Sequence, residues 1–195
     1  MIHEEMRVWE FDRHDWSALD ALGGAHRIPD ALDALSSATT AEAALAAYRR
    51  IENTVVVQGT PQESSVAAAA CIVALLPGCS AVSRERLIDL LDEIATGYDE
   101  TPEHQQRAIV AEIIKGFGLF LTLVQRGSDI ECSMCMDLLL YCAQYEPSLR
   151  PQAEYYVERV SGDDSRSTDV RSFSARRLKY ERERWQGVPH EGDNE

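Results

Sequence analysis

Several things are scarce or missing in this chain of 195 residues, and each absence closes off a class of protein. Positive charge is short, with 19 Lys and Arg against 33 Asp and Glu and a net charge of −14. A surface this acidic repels nucleic-acid backbones and anionic bilayers, and it speeds association with basic partners. Long apolar runs are missing as well. The longest, Val66 to Leu76, falls well short of the ~20 residues that a membrane span requires. The stretch "MIHEEMRVWEFDRHD" carries acidic residues and no apolar h-region, so no signal peptide is expected and the expected compartment is the cytoplasm. Alternating strand patterns are nearly absent, and Val55-Val56-Val57 is too short to count as a strand. There is no phosphate-binding glycine loop, no GxSxG and no HExxH.

Helix signals fill the space left. "TTAEAALAAYRRIEN" opens with Thr39, and Glu42 three residues on makes a capping-box pattern. "TPQESSVAAAACIVALL" repeats the signal, with Thr60 as N-cap, Pro61 at the first helical position and Glu63 to close the box. Further starts are expected at Ser83, at Thr101 with Pro102 behind it, and at Ser128 with Glu131. "SLRPQAEYYVERVSG" reads as a helix ending near Gly162, and "DWSALDAL" and "IPDALDAL" as two shorter ones. Ile109, Val110, Ile113, Ile114, Phe117, Phe120, Leu121 and Val124 keep helical spacing as one long helix, with Gly116 and Gly118 inside it. Leu87, Leu91, Ile94 and Tyr98 form a stripe on the helix before it. The run from Val66 to Leu76 is apolar on all sides and belongs in the middle of the fold.

Thr60 and Thr101 begin similar segments 41 residues apart, an offset in the range of two-helix HEAT or armadillo units. Residues 1–160 carry a charge of −13 and form the expected helical domain, whereas residues 161–195 hold 7 Lys and Arg against 8 Asp and Glu. The latter read as a charged, solvent-exposed tail with one possible helix around "VRSFSARRLKYERERW", able to fold back on the acidic body.

Trp16, Gly24-Ala25, Ile28-Pro29, the alanine-rich run Ala41 to Tyr48, the elbow Gln58-Gly59-Thr60 and the second alanine-rich run Val66 to Leu76 follow one another in a recognisable order. Together with "LIDLLDEIATGYD", they resemble a group of bacterial HEAT-like repeat proteins. Val57 stands where that group usually has histidine, and Gln62 where an aromatic often follows. The resemblance implies an all-α, right-handed stack of helical hairpins, about eight helices in all, that binds proteins on a curved face. Some members of the group look like immunity proteins of bacterial toxin pairs. A non-catalytic immunity protein that masks a basic toxin is therefore the sharpest expectation. A regulatory scaffold is the first alternative, and a helical-repeat DNA glycosylase the second, which would need a basic patch such as Arg49, Arg50 and Arg107.

Two surfaces are candidates for the partner. One is the acidic face Glu85, Asp89, Asp92 and Glu93, continuing to Asp99, Glu100 and Glu103; its plain alternative is a solvated helix face. The other is the elbow, where Gln58, Gln62 and Glu63 would sit at a rim. Its plain alternative is a turn with Gly59 at positive φ, Thr60 as a cap and Gln58 bonded locally. "CSMC" places Cys132 and Cys135 on one helical stripe with Cys142, which favours core packing over a metal or redox site, since no second pair or spaced histidines accompany it. Glu103-His104 could act as an acid–base pair, but a helix start attracts acidic residues anyway. No cofactor, metal, nucleic acid or membrane is expected.

Overall fold

The computed structural model describes residues 2–97 and 101–187. They are predominantly helical, and the chain divides into two compact units between Gly116 and Phe117. Among the described residues no single helix is long and apolar enough to cross a membrane.

The first unit holds α1 (Ile2–Asp12), α2 (Ile28–Ser37), α3 (Ala41–Tyr48), the short turn α4 (Glu52–Val55), strands β1 (Val56–Val57) and β2 (Thr60–Pro61), then α5 (Ser64–Leu75), α6 (Ala81–Ala95) and α7 (Glu103–Ile114). Helix α5 is the hub, touching α1, α2, α4, α6 and α7. Its alanines explain this. Ala67, Ala68, Ala69 and Ala70 are all buried, and side chains of one carbon let neighbouring helices approach from several sides at once. The expectation of a central helix is met, with only Val66, Val73 and Ala74 half-exposed.

The start of α5 is where the structure departs furthest from expectation. Thr60 is not a helix cap, and Pro61 is not a first helical residue. Both lie in β2, which pairs antiparallel with β1 in the register Val56–Pro61 and Val57–Thr60. Gln58 and Gly59 form the two-residue turn between the strands, with φ of 51° and 83°. Positive φ at both central positions is the twist that a tight hairpin demands, and glycine adopts it at no steric cost. Pro61 donates nothing to the ladder, which suits a strand this short. The helix begins only at Ser64. Its first turn is tied down by the Ser64 amide donating to the Asp20 carbonyl (3.1 Å) and the buried Ser65 hydroxyl donating to the Val55 carbonyl (2.6 Å). Val55-Val56-Val57 therefore holds a strand after all. The Thr-Pro pairs 41 residues apart are not equivalent, because Thr101-Pro102 leads directly into α7.

Other helix starts shift by a residue or three. Thr40, not Thr39, caps α3 by accepting from the Ala43 amide (3.2 Å), so Glu42 closes no box. Ser80, not Ser83, caps α6. The buried Ser83 hydroxyl instead donates to the Ala38 carbonyl (2.7 Å), as does that of Ser80 (2.8 Å), which fastens α6 to the end of α2. "DWSALDAL" forms turns rather than a helix, because Asp15 accepts from both the amide and the hydroxyl of Ser17 (3.1 and 2.6 Å) and so offers the backbone a local alternative. Leu87, Leu91 and Ile94 are buried as expected, whereas Tyr98 lies outside the described residues.

The long helix expected through Gly116 is two helices. Helix α7 closes with tight bonds from Lys115 to Glu112 (3.2 Å) and from Gly116 to Ile113 (2.9 Å), and α8 (Phe117–Arg126) opens the second unit. Apart from proline, glycine is the residue that gains least from staying helical. The second unit continues with α9 (Asp129–Tyr145), α10 (Arg150–Ser161) and α11 (Thr168–Trp185). Ser128 and Glu131 form the full capping box expected for α9, and α10 ends at Gly162 as expected.

Helix α11 carries the sequence expected as a tail, and it is packed against α9 and α10, burying Val170, Ser174, Leu178 and Glu181. Its arginines find acids there. Arg177 reaches Asp137 (2.7 Å) and Glu181 (2.9 Å), and Arg182 reaches Glu154 (3.0 Å) and Glu158 (3.4 Å). Ahead of the helix, Arg166 donates to the carbonyls of Gly127 (2.7 Å) and Val124 (2.9 Å).

Candidate functional site

The two surfaces singled out in the sequence meet in one cleft of the first unit. A cavity of about 580 Å³ is lined by Glu52, Asn53, Val56, Gln58, Gly59, Glu93, Thr96 and Gly97. One wall is the hairpin turn, and the other is the C-terminal end of α6. Gly97 makes the approach possible, because a Cβ there would lie 2.3 Å from Pro61 Cδ and 3.1 Å from the Gly59 carbonyl oxygen. Gln105 of α7 pins the hairpin from outside, its amide donating to the carbonyls of Pro61 (3.0 Å) and Gln62 (2.7 Å).

The electrostatics around the cleft are set by Tyr48. Its hydroxyl donates to Glu93 Oε1 (2.7 Å). Burial pushes the Glu93 carboxyl above its ordinary range, and the neighbouring Asp89 and Glu52 push the same way against the favourable Tyr48 bond. The phenol of Tyr48 is raised in turn, first by burial, then by its bond to Glu93 and the surrounding carboxylates. Arg86 offsets part of this charge. Its guanidinium lies over the Tyr48 ring, 5.5 Å from the centroid, and reaches Asp89 at 3.3 Å. The arrangement thus gathers three carboxylates and one arginine around a phenol. A cationic side chain entering it would offset the burial that chiefly holds Glu93 up, and the repulsion from Asp89 and Glu52 that adds to it.

The other expected site residues divide as follows. Asp89 and Glu93 belong to this cluster, and Gln58 is exposed on the hairpin turn. Glu85 and Asp92 are half-buried on α6 and do not line the cleft. Gln62 turns inward, its amide donating to the Thr60 carbonyl (3.0 Å), and Glu63 accepts from the Asp20 amide (3.3 Å), so both serve the elbow itself. Glu103 is exposed and paired with Arg107 (2.6 Å) one turn along. Its neighbour His104 is also exposed. Asp99 and Glu100 lie outside the described residues. Sequence reasoning passed over Glu52 and Gly97, which line the cleft from separate elements, and Tyr48, whose hydroxyl holds Glu93. A Gln-Gly pair between valines and a Thr-Pro was the signal for the hairpin, and Gly97 just past α6 was the signal for a close approach.

In the second unit, Cys132, Cys135 and Cys142 are buried on α9. Burial pushes the Cys132 thiol up to about 11 and the Cys142 thiol up to about 12, so both are protonated at neutral pH and pack as small apolar groups. Among the described residues no group of three or more His, Cys, Asp or Glu side chains is arranged to hold a metal ion.

The fold and cleft define an all-α protein with an acidic recess beside a pinned hairpin. Comparison with protein-family models, curated proteins and solved structures finds no match.

Proposed function

We propose that this protein is a non-catalytic binding module whose acidic cleft receives a basic side chain of a protein partner, in the manner of an immunity protein that masks a toxin. The observation that carries the reading is the convergence of Glu52, Asp89 and Glu93 on Tyr48 beside the exposed Gln58 turn. A half-buried carboxylate held above its ordinary range gains more from a partner cation than a solvated one does. Within the first unit, α2 packs on α3, α5 on α6, and α6 in turn on α2 and α3. That order supports a HEAT-like reading of these hairpins.

The test is a paired capture from the native host. Tagged wild-type protein and a Glu52→Gln/Glu93→Gln variant are presented to the same lysate, and the bound proteins are quantified by mass spectrometry. The expected result is a single basic partner, bound in equal stoichiometry and depleted at least tenfold by the variant. That partner should be harmful when expressed alone and harmless beside wild-type protein. Equal capture of the partner by both proteins would remove the cleft from the interface. Retention of the wild type on heparin at low salt would instead favour the nucleic-acid enzyme.

A further inference from the structure

In a chain of net charge −14, arginine has acids to choose from, and at least eight of its 17 arginines reach one. Arg13, Arg86, Arg107, Arg166, Arg177 and Arg182 each reach a carboxylate. Arg27 and Arg50 do not. Neither makes an ion pair or a side-chain hydrogen bond with any described residue, and both line a second cavity of the first unit, about 400 Å³ in volume, together with His26, Asp30 and Ala31. Asp30 stands in the same wall and pairs with neither of them.

The turn before α2 is shaped to present these groups. Gly23 and Gly24 both have positive φ, 82° and 94°. That backbone folds the following side chains back over the turn. A Cβ on Gly24 would lie 2.8 Å from the His26 ring, and one on Gly23 would lie 3.9 Å from Arg27 Nη1. The positive φ favours glycine at both positions, and at Gly24 a Cβ would also crowd the His26 ring. Arg50 arrives from a different element, the junction of α3 and α4, and the buried Ala31 forms part of the floor. Two guanidinium groups and an imidazole from two parts of the chain therefore face one recess without internal partners.

We infer that this recess is an oxyanion site that takes a phosphate group. Guanidinium forks match the oxygens of phosphate in pairs of parallel hydrogen bonds, which a lysine cannot reproduce. The volume lies within the range of small-molecule pockets and accommodates a phosphate with a modest organic substituent. The site shares no lining residue with the acidic cleft, and its ligand is small and anionic where the cleft's partner is basic.

The arginine Nε–Hε signals of the full-length protein, followed by NMR, test it. Inorganic phosphate and phenyl phosphate are titrated separately at constant ionic strength, with chloride as the control. The Arg27 and Arg50 signals should move saturably with phosphate and stay still with chloride, while the exposed neighbour Arg49 should barely respond. Arg50→Gln, at an exposed position, should keep the backbone spectrum and raise the phosphate midpoint at least tenfold. Tighter binding of phenyl phosphate would assign the site to a phosphate ester, and equal binding would assign it to the free ion. Shifts of Arg27 and Arg50 no larger than that of Arg49, or equal shifts with chloride, would overturn the site. Glu93→Gln should leave the titration unchanged, so failure of the acidic cleft and failure of this pocket are separable.

Discussion

Helices α5 and α11 are both packed, one at the heart of the first unit and the other closing the second, yet different physics holds them. Helix α5 buries nine residues, none of them charged. Helix α11 is longer, at 18 residues, and buries only Val170, Ser174, Leu178 and Glu181. Contact for α5 is mainly short-range dispersion and apolar burial, which ionic screening does not weaken and which no titration switches. Contact for α11 depends on arginines that reach acids on α9 and α10, and such pairs respond to both. One chain thus has a helix placed by size and a helix placed by charge.

The largest effect should come from disturbing size. Ala69 is fully buried on α5, and Ala69→Leu inserts a side chain where neighbours already touch. Overpacking of this kind typically costs 1–3 kcal/mol, and the closeness of the helices around α5 places the expected loss at about 3 kcal/mol in urea denaturation. A loss below about 1 kcal/mol would show that α5 is loosely packed and that its alanines serve some other purpose.

Next comes charge. Arg177 bridges Asp137, whose carboxyl burial raises, and the buried Glu181. Arg177→Met removes the cation that bridges those two acids. Removing one partner of a fully buried pair costs 3–5 kcal/mol, and the partial exposure of this arginine brings the expected cost to about 2 kcal/mol. Hydrogen exchange should show the loss concentrated in α11, with α5 unaffected. In wild-type protein, ~1 M NaCl, where the screening length is ~3 Å, should loosen α11 and leave α5 protected. Equal loosening of the two helices would erase the distinction between them.

The contrast also explains what could be read from the sequence. Helix α5 was legible because its apolar run is contiguous and local. The capping box of Ser128 and Glu131 was legible for the same reason, being complete within four residues. The anchoring of α11 was not, because Arg177 finds Asp137 forty residues away, and no spacing rule links them. The elbow misled in a different way. Thr60, Pro61 and Glu63 fit a helix start, but the Gln58-Gly59 turn at positive φ lets the chain form a hairpin first, and the cap signal lost to it. The candidate cleft was half visible. Gln58 and Glu93 were named as members of two rival surfaces, and only the close approach allowed by Gly97 puts them in one. Tyr48 and Glu52 carried no signal of their own, since a tyrosine at the end of an alanine-rich helix is an ordinary core residue until its hydroxyl is seen on Glu93.

The smallest effect sharpens the comparison between the two units, because their carboxylates shift in opposite directions. Glu93 in the first unit is raised, mainly by burial. A raised carboxyl binds its proton more tightly when folded, so its contribution is fully present below the unfolded pKa and is lost as pH rises through the folded value. Asp129 in the second unit is lowered, first by its hydrogen bonds from Ser167 and then by Arg166. Its contribution is present above the unfolded pKa, about 4, and is lost as pH falls through the folded value. Asp129 accepts the Ser167 amide (3.1 Å) at the N-cap of α11, so acid should act there first. Between pH 5 and pH 3, amide exchange at the start of α11 should speed up after correction for intrinsic rates, while the Tyr48–Glu93 contact holds. In Asp129→Asn the start of α11 should already exchange faster at pH 5 and show a weaker dependence on pH. An unchanged profile in that variant would mean that Arg166, through its bonds to the Gly127 and Val124 carbonyls, holds the helix start without help from the carboxylate.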